Sequence, residues 1–377
     1  MVDPSLRLRE DYSFFERLRQ INWGLIALLS IIASVGFASL YSAANGSLDP
    51  WASRQMVRFG IGLSALIFVA LIDIRWWYRL SYPIYIVGFI LLIVVEVKGH
   101  VGMGAQRWID LGFIQLQPSE FMKIAVVMAL AKYFHAATFD EMRSVRFLLP
   151  AAALILAPVA LVLLQPDLGT SLMIVMAGAA MFFIAGAPTW LFIGGFVAAA
   201  ASIPIAWQFL HEYQKKRVMT FLDPESDPLG AGYHITQSKI ALGSGGIEGK
   251  GFMKGTQSHL NFLPEKQTDF IFTLWAEEFG LTGGVFLLVL MGAVFAYGAW
   301  IAKRCRHAYG RLLAFGLTFN FSLYVFINVA MVMGLIPVVG APLPLVSYGG
   351  TSMLAVMIAF GLIISCNVYR DSKLPRM

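Results

Sequence analysis

Asn261-Phe-Leu-Pro-Glu-Lys-Gln-Thr-Asp-Phe-Ile-Phe272 carries Glu265, Lys266 and Asp269 to the edge of an almost wholly apolar run, Phe270 to Leu290. A run of that length crosses a bilayer, for which about 20 apolar residues suffice. An ionisable group at such a junction is expensive unless it faces a cavity or a partner. Asp269 is therefore the first candidate for the chemical centre of the chain.

The rest of the chain repeats the apolar theme. Of 377 residues 58% are hydrophobic and 13% charged, and the mean hydropathy is +0.71, which excludes an ordinary soluble domain. Apolar segments lie near 23–42, 56–72, 77–96, 118–134, 148–164, 168–186, 190–209, 269–299, 312–335 and 349–368. They predict an all-α integral membrane protein of about ten transmembrane helices, with a large extracytoplasmic loop between helices 7 and 8. Residues 1–377 read as one polytopic domain, with a tail at 1–22, the large loop at 210–268 and a second tail at 369–377. The first apolar run is too long for a signal-peptide core and is expected to stay as an anchor.

Lys and Arg number 28 against 22 Asp and Glu. Under that segmentation Arg7, Arg9, Arg17, Arg75, Arg146, Arg304, Arg370 and Arg376 fall with many others on one side. The three short loops that follow segments 3, 5 and 9 on the other side carry only Lys98 and Arg107, and the first loop on that side adds Arg54 and Arg58. This asymmetry predicts both termini in the cytoplasm and the large loop outside. The basic residues form no stripe with interleaved aromatics, so no nucleic-acid partner is expected. Cys305 and Cys366 fall near the inner face and suggest neither a disulfide framework nor a metal site.

The large loop is too long for a simple connector. Within it Gly243-Ser-Gly-Gly-Ile-Glu-Gly-Lys-Gly-Phe-Met-Lys-Gly255 offers backbone that can approach a ligand and lysines suited to phosphate; a flexible surface hairpin is the plainer reading. It is no Walker A loop, since Gly251 follows Lys250 where Ser or Thr is required. After segment 3 come Arg107-Trp-Ile109 and Gln117-Pro-Ser-Glu120. Pro118 suits the first turn of a helix, with Gln117 or a neighbour near its cap and Glu120 close to its positive end. Glu120 and Lys123 share a face and suit an ion pair. Trp108 reads equally as an interfacial anchor. Asp167, in Gln165-Pro-Asp-Leu-Gly-Thr170, reads first as a helix cap. Gly334 to Ser352, with Pro337, Pro342 and Pro344, cannot form a regular spanning helix, and such backbone is tolerated at membrane depth only when buried in protein or lining a cavity.

These separated motifs, together with Pro264-Glu-Lys-Gln-Thr-Asp-Phe270 and Ser347-Tyr-Gly-Gly350, resemble the SEDS family of shape, elongation, division and sporulation proteins over about residues 23 to 370. The short tails and Gly255-Thr-Gln257 followed by Phe262-Leu-Pro-Glu265 are most similar to its rod-shape branch. The resemblance implies a multi-pass enzyme of the bacterial inner membrane, a peptidoglycan glycosyltransferase that polymerises lipid II on the periplasmic side during cell elongation. It places the essential carboxylate on Asp269, as general base or as ligand of a divalent cation, Mg2+ or Mn2+, with no organic cofactor.

The same resemblance suggests cavity roles for Trp108, Gln117, Ser119, Asp167, Glu265, Ser347 and Tyr348. Glu120 and Lys123 are the first candidates to tune Asp269, and Arg107, Lys239, Lys250 and Lys266 are candidate phosphate contacts. Expected partners are lipid II, the nascent glycan strand, a class B penicillin-binding transpeptidase, other elongation-complex proteins and membrane lipid. A lipid II flippase or transporter is the competing reading, since broken segments also suit transporters. Against it, the polar chemistry gathers on one side and no inverted pair of motifs is evident.

Overall fold

The computed structural model describes residues 14–102, 105–110, 112, 115–138, 140–210, 212–223, 231–260 and 265–375. Arg7, Arg9, Phe262, Pro264 and Arg376 lie outside the described residues. Every expected apolar segment is a helix. After the short α1 (Phe14–Gln20) come α2 (Trp23–Ala43), α3 (Ala52–Leu71), α4 (Ile74–Lys98), α5 (Pro118–His135), α6 (Val145–Leu164), α7 (Leu168–Ala185) and α8 (Thr189–Phe209). The large polar region follows, and then α12 (Ile271–Arg304), α13 (Ala308–Val332) and α14 (Gly350–Val368).

Eight of these helices are long and apolar enough to cross a membrane. The other two are α5 and α8. Helix α5 carries Glu120, Lys123 and Lys132 and is buried among its neighbours along most of its length, so protein rather than lipid surrounds its charges. In α8 the apolar stretch, Thr189–Ile205, is shorter. The centre of the bundle is α14, with 83% of its span buried against 22% for Ile74–Val97 in α4. Helix α14 packs on α3 and α13, and α5 packs on α4, α7 and α13, around a large apolar core.

The region before α12 is more than a loop. It contains α9 (Glu212–Leu222), α10 (Ala231–Ser244) and α11 (Thr256–His259). The glycine-rich stretch is bonded by its backbone to α12. Helix α12 is broken at Gly280, whose φ of 65 is left-handed. The break strands backbone groups at both sides, and such groups need partners. Lys250 N and Gly251 N donate to the carbonyls of Glu277 (3.1 Å) and Glu278 (2.9 Å), while Leu281 N and Thr282 N donate to Gly246 O (2.9 Å) and Ile247 O (3.1 Å). Only bare backbone fits so closely: a Cβ at Gly249 would stand 2.2 Å from Glu278 O.

A small antiparallel sheet of β1 (His100–Gly102), β2 (Ala105–Asp110) and β3 (Gln115–Leu116) joins α4 to α5, in the order β1-β2-β3. The sequence does not announce it. Strands this short carry too few residues for a period-two pattern to show.

Candidate active site

Asp269 stands two residues ahead of α12, partly buried, where several segments meet. Its own strand of chain is tied to the Pro-rich segment 335–349 by backbone and side-chain bonds. Ser347 Oγ donates to Thr268 O at 2.6 Å and accepts from Leu343 N at 2.7 Å, and Tyr348 N donates to Gln267 O at 2.8 Å. The irregular backbone that hydropathy flagged is thus bonded within protein, as its depth requires. A Cβ at Gly340 would stand 3.4 Å from Asp269 Oδ2, so this segment walls the carboxylate. Among the described residues the carboxylate oxygens accept no hydrogen bond.

Burial pushes the Asp269 carboxyl up to about 6, the charge of Glu265 adds to the rise, and Arg217 pulls the other way. Arg217, on α9, donates from Nη1 to Val338 O at 3.2 Å, two residues before Gly340. The sequence points to Glu265 but not to Arg217, because nothing local to α9 says that it folds over a segment more than a hundred residues away. Glu265 Oε2 accepts from Thr268 Oγ1 at 2.8 Å.

Glu120 and Lys123 do pair, Nζ to Oε1 at 2.7 Å, in a buried setting. They close on Tyr324 of α13: its hydroxyl donates to Glu120 Oε2 at 2.5 Å and also contacts Lys123 Nζ. The charges felt at Asp269 are those of Glu265 and Arg217, and Glu120, Lys123 and Tyr324 form a hydrogen-bonded cluster between α5 and α13. Tyr324 is one turn, about 6 Å of rise, from Asn328 on the same helix. The pair behaves as a unit, so Lys123→Met and Glu120→Gln are expected to be non-additive, with the double variant at least ~1 kcal/mol more stable than the sum of the singles predicts. Thermal denaturation of the four proteins in detergent measures this.

Three of the four cations proposed for phosphate have partners in the protein. Lys250 Nζ pairs with the buried Glu277 at 2.8 Å. Lys266 is buried and donates to Ser258 O at 2.8 Å. Arg107 donates from Nη2 to Pro166 O at 2.6 Å, with Nε 3.6 Å from Asp167. Each holds a loop. The fourth, Lys239, is exposed and lies over Gly334. Asp167 caps α7 as its position suggested, accepting from Thr170 N at 3.1 Å and Thr170 Oγ1 at 2.9 Å.

Gln117 is the N-cap residue of α5, though its side chain makes no capping bond, and Ser119 is buried in the first turn. Trp108 lies partly buried on β2. The ring of Tyr348 lies under the Arg58 guanidinium, 4.5 Å from its centroid.

This constellation matches known proteins along nearly its whole length. A family model described as "Cell cycle protein" (FtsW, RodA, SpoVE) covers residues 16–372. The chain belongs to this family. It is 45% identical to the peptidoglycan glycosyltransferase MrdB of Escherichia coli (strain K12) over 346 residues, 91% of this chain and 93% of that one. It superposes with a TM-score of 0.81, at 34% identity over 93% of this chain and 98% of the other, on a structure described as the structural coordination of polymerization and crosslinking by a peptidoglycan synthase complex. The rod shape determining protein RodA of Thermus thermophilus gives 0.70 at 30% identity, covering 94% and 98%.

Proposed function

We propose that the site around Asp269 polymerises lipid II, with Asp269 as the reacting carboxylate. The chain is a peptidoglycan glycosyltransferase of the MrdB and RodA type. The observation that carries the role of Asp269 is a carboxylate of raised pKa that accepts no hydrogen bond among the described residues and is walled by a segment bonded to its own backbone. Strongly shifted carboxylates in clefts mark sites of chemistry.

In the proposed step the 4-hydroxyl of an acceptor N-acetylglucosamine gives its proton to Asp269. Its oxygen forms a bond to the anomeric carbon of the donor, and the bond from that carbon to pyrophosphate breaks, releasing undecaprenyl pyrophosphate with the electron pair. A base works best when its pKa lies near the working pH. The leaving group needs little acid help, unlike the alcohols released by glycosidases, so a second catalytic carboxyl is not required. Arg217, beside Asp269, suits the negative charge that gathers on the leaving group.

Asp269 and Glu265 would be the residues to hold a divalent cation, because Mg2+ is held by one or two carboxylates plus substrate phosphates rather than by a full protein cage, and the charge of Glu265 is felt at Asp269. When bound, such an ion would neutralise the pyrophosphate.

The base must be ionised to act. Since its pKa is raised to about 6, kcat/KM for polymerisation is expected to rise about tenfold from pH 5 to pH 7 and then level off; a flat profile across that range defeats the base role.

The proposed orientation has both termini in the cytoplasm and Asp269 on the periplasmic side, as the distribution of Lys and Arg favours. The proposed partner is a class B penicillin-binding transpeptidase with one spanning helix, since the chain lacks a crosslinking serine motif and its structural neighbour is a synthase complex. Gly280 and Gly283 are closed in by their own chain, whereas Gly292 opens into an apolar groove with Met291, Phe295, Phe321 and Val325 between α12 and α13. The deciding experiment gives labelled lipid II to the purified protein, alone and with its cognate transpeptidase, and assays polymer; absence of polymer from both defeats the reading.

A further inference from the structure

Asn328 is fully buried on α13, in a helix whose neighbouring positions are mostly apolar. Its Nδ2 donates to two carbonyls at once, Asp269 O at 2.8 Å and Ala341 O at 2.7 Å. Both N–H bonds of one amide are used, so a single side chain bolts the segment that carries the carboxylate to the segment that walls it. The geometry closes on itself: Ala341 follows Gly340, and Gly340 abuts Asp269 Oδ2. The remaining atom, Oδ1, is buried without a hydrogen-bond partner among the described residues. The amide is therefore oriented by its two donor contacts, which is the arrangement expected of a brace and not of a residue satisfying itself.

We infer that Asn328 is a positioning residue that fixes the Asp269 carboxylate against the Pro-rich segment, an inference that rests on the proposed role of Asp269. Asn328 touches the backbone of Asp269, not its carboxylate, so it acts on the reaction only through where Asp269 stands. The charges around Asp269 are supplied by other side chains, Glu265 and Arg217, so Asn328 contributes position and not charge. A displacement of about 1 Å at a reacting group is enough to cost roughly 100-fold in rate. The nearest alternative is that Asn328 merely pins α13 in the bundle.

The test uses the full chain with its cognate transpeptidase. Asn328→Leu is near in size and removes both donors. It is expected to lower kcat for polymerisation of labelled lipid II by about 10–100-fold with KM within about twofold. A second scale reads position directly. The native cysteines, Cys305 and Cys366, are buried, so the thiol introduced by Asp269→Cys reports its own exposure to a maleimide. Labelling is expected to speed up several-fold when Asn328→Leu is added.

Unchanged kcat in a folded Asn328→Leu protein, or an unchanged labelling rate, overturns the inference. If the Leu variant aggregates, Asn328→Ser is measured on the same two scales, and the same two results support or overturn the brace. Full activity of Asp269→Asn with altered labelling would instead defeat the catalytic reading and leave the brace standing.

Discussion

Asp269→Asn is expected to reduce glycan polymerisation by about 10²–10⁴-fold, to background in most assays, while leaving the protein at least as stable as the wild type. The first half follows from chemistry. An amide of nearly equal volume cannot take the proton of the attacking hydroxyl, and a positioned base contributes about that factor. The second half follows from the sign of the pKa shift. Asp269 has its carboxyl raised from 3.8 to about 6 in the fold, so its protonated form is the one the folded state prefers. Stability from this group is present below the unfolded value and lost as pH rises through about 6. At neutral pH the ionised carboxylate therefore costs stability, on the order of 1–3 kcal/mol.

The Asn variant is free of that cost. Its bond from Asn328 is to the backbone and survives the change. Melting at pH 7.5 is expected to be equal or higher than wild type, and the difference should shrink towards pH 4.5. Wild-type polymer yield from this variant would remove Asp269 from the mechanism. A melting point several degrees lower would show that the carboxylate is there to hold the fold.

Much of this architecture was legible. Spanning helices betray themselves by length and apolar content, and Pro118 and Glu120 marked the start of α5 to the residue. Asp269 stands out in the sequence as a charge at the edge of an apolar run, and it is the carboxylate on which the proposed reaction rests. What the sequence hid is which polar group meets which. Lys250 reads as a phosphate contact because glycines surround it, yet those glycines exist to approach the broken backbone of α12, and Glu277 takes the lysine.

Two further signals stand in the sequence. Glu277 and Glu278 stand within an apolar helix, and Asn328 within another; intramembrane polar groups of this kind rarely lack a partner or a task. Arg217 had no such signal. Its place over Val338 is set by how α9 folds back, and no local pattern encodes that.

Glu277 is expected to give the largest loss of stability among single substitutions in the polar region. Its carboxylate is fully buried and accepts from Lys250 Nζ at 2.8 Å, Gln257 N at 2.9 Å, Ser258 N at 3.2 Å and Ser258 Oγ at 2.8 Å. One side chain thus caps α11 and neutralises a lysine. Glu277→Ala strands all of these donors, and breaking a buried pair by removing one partner costs about 3–5 kcal/mol. Glu277→Gln keeps one acceptor but turns an N–H₂ towards other donors, so it should fall between Ala and wild type. Lys250→Met should cost less than either, because Thr256 Oγ1, Gln257 N, Ser258 N and Ser258 Oγ still donate to the carboxylate and the lysine itself is partly exposed.

The damage should also travel along the chain. Ser258 is held by Glu277 and its carbonyl accepts from Lys266, three residues before Asp269, so releasing α11 loosens the segment that carries the carboxylate. Thermal denaturation should rank the variants as Lys250→Met, Glu277→Gln, Glu277→Ala in order of increasing loss. Limited proteolysis should open residues 245–260 in the Ala variant first, with polymer yield falling alongside. If Glu277→Ala melts with the wild type and resists protease equally, the polar region is held by the backbone bonds at the Gly280 break alone, and Glu277 is a bystander to them.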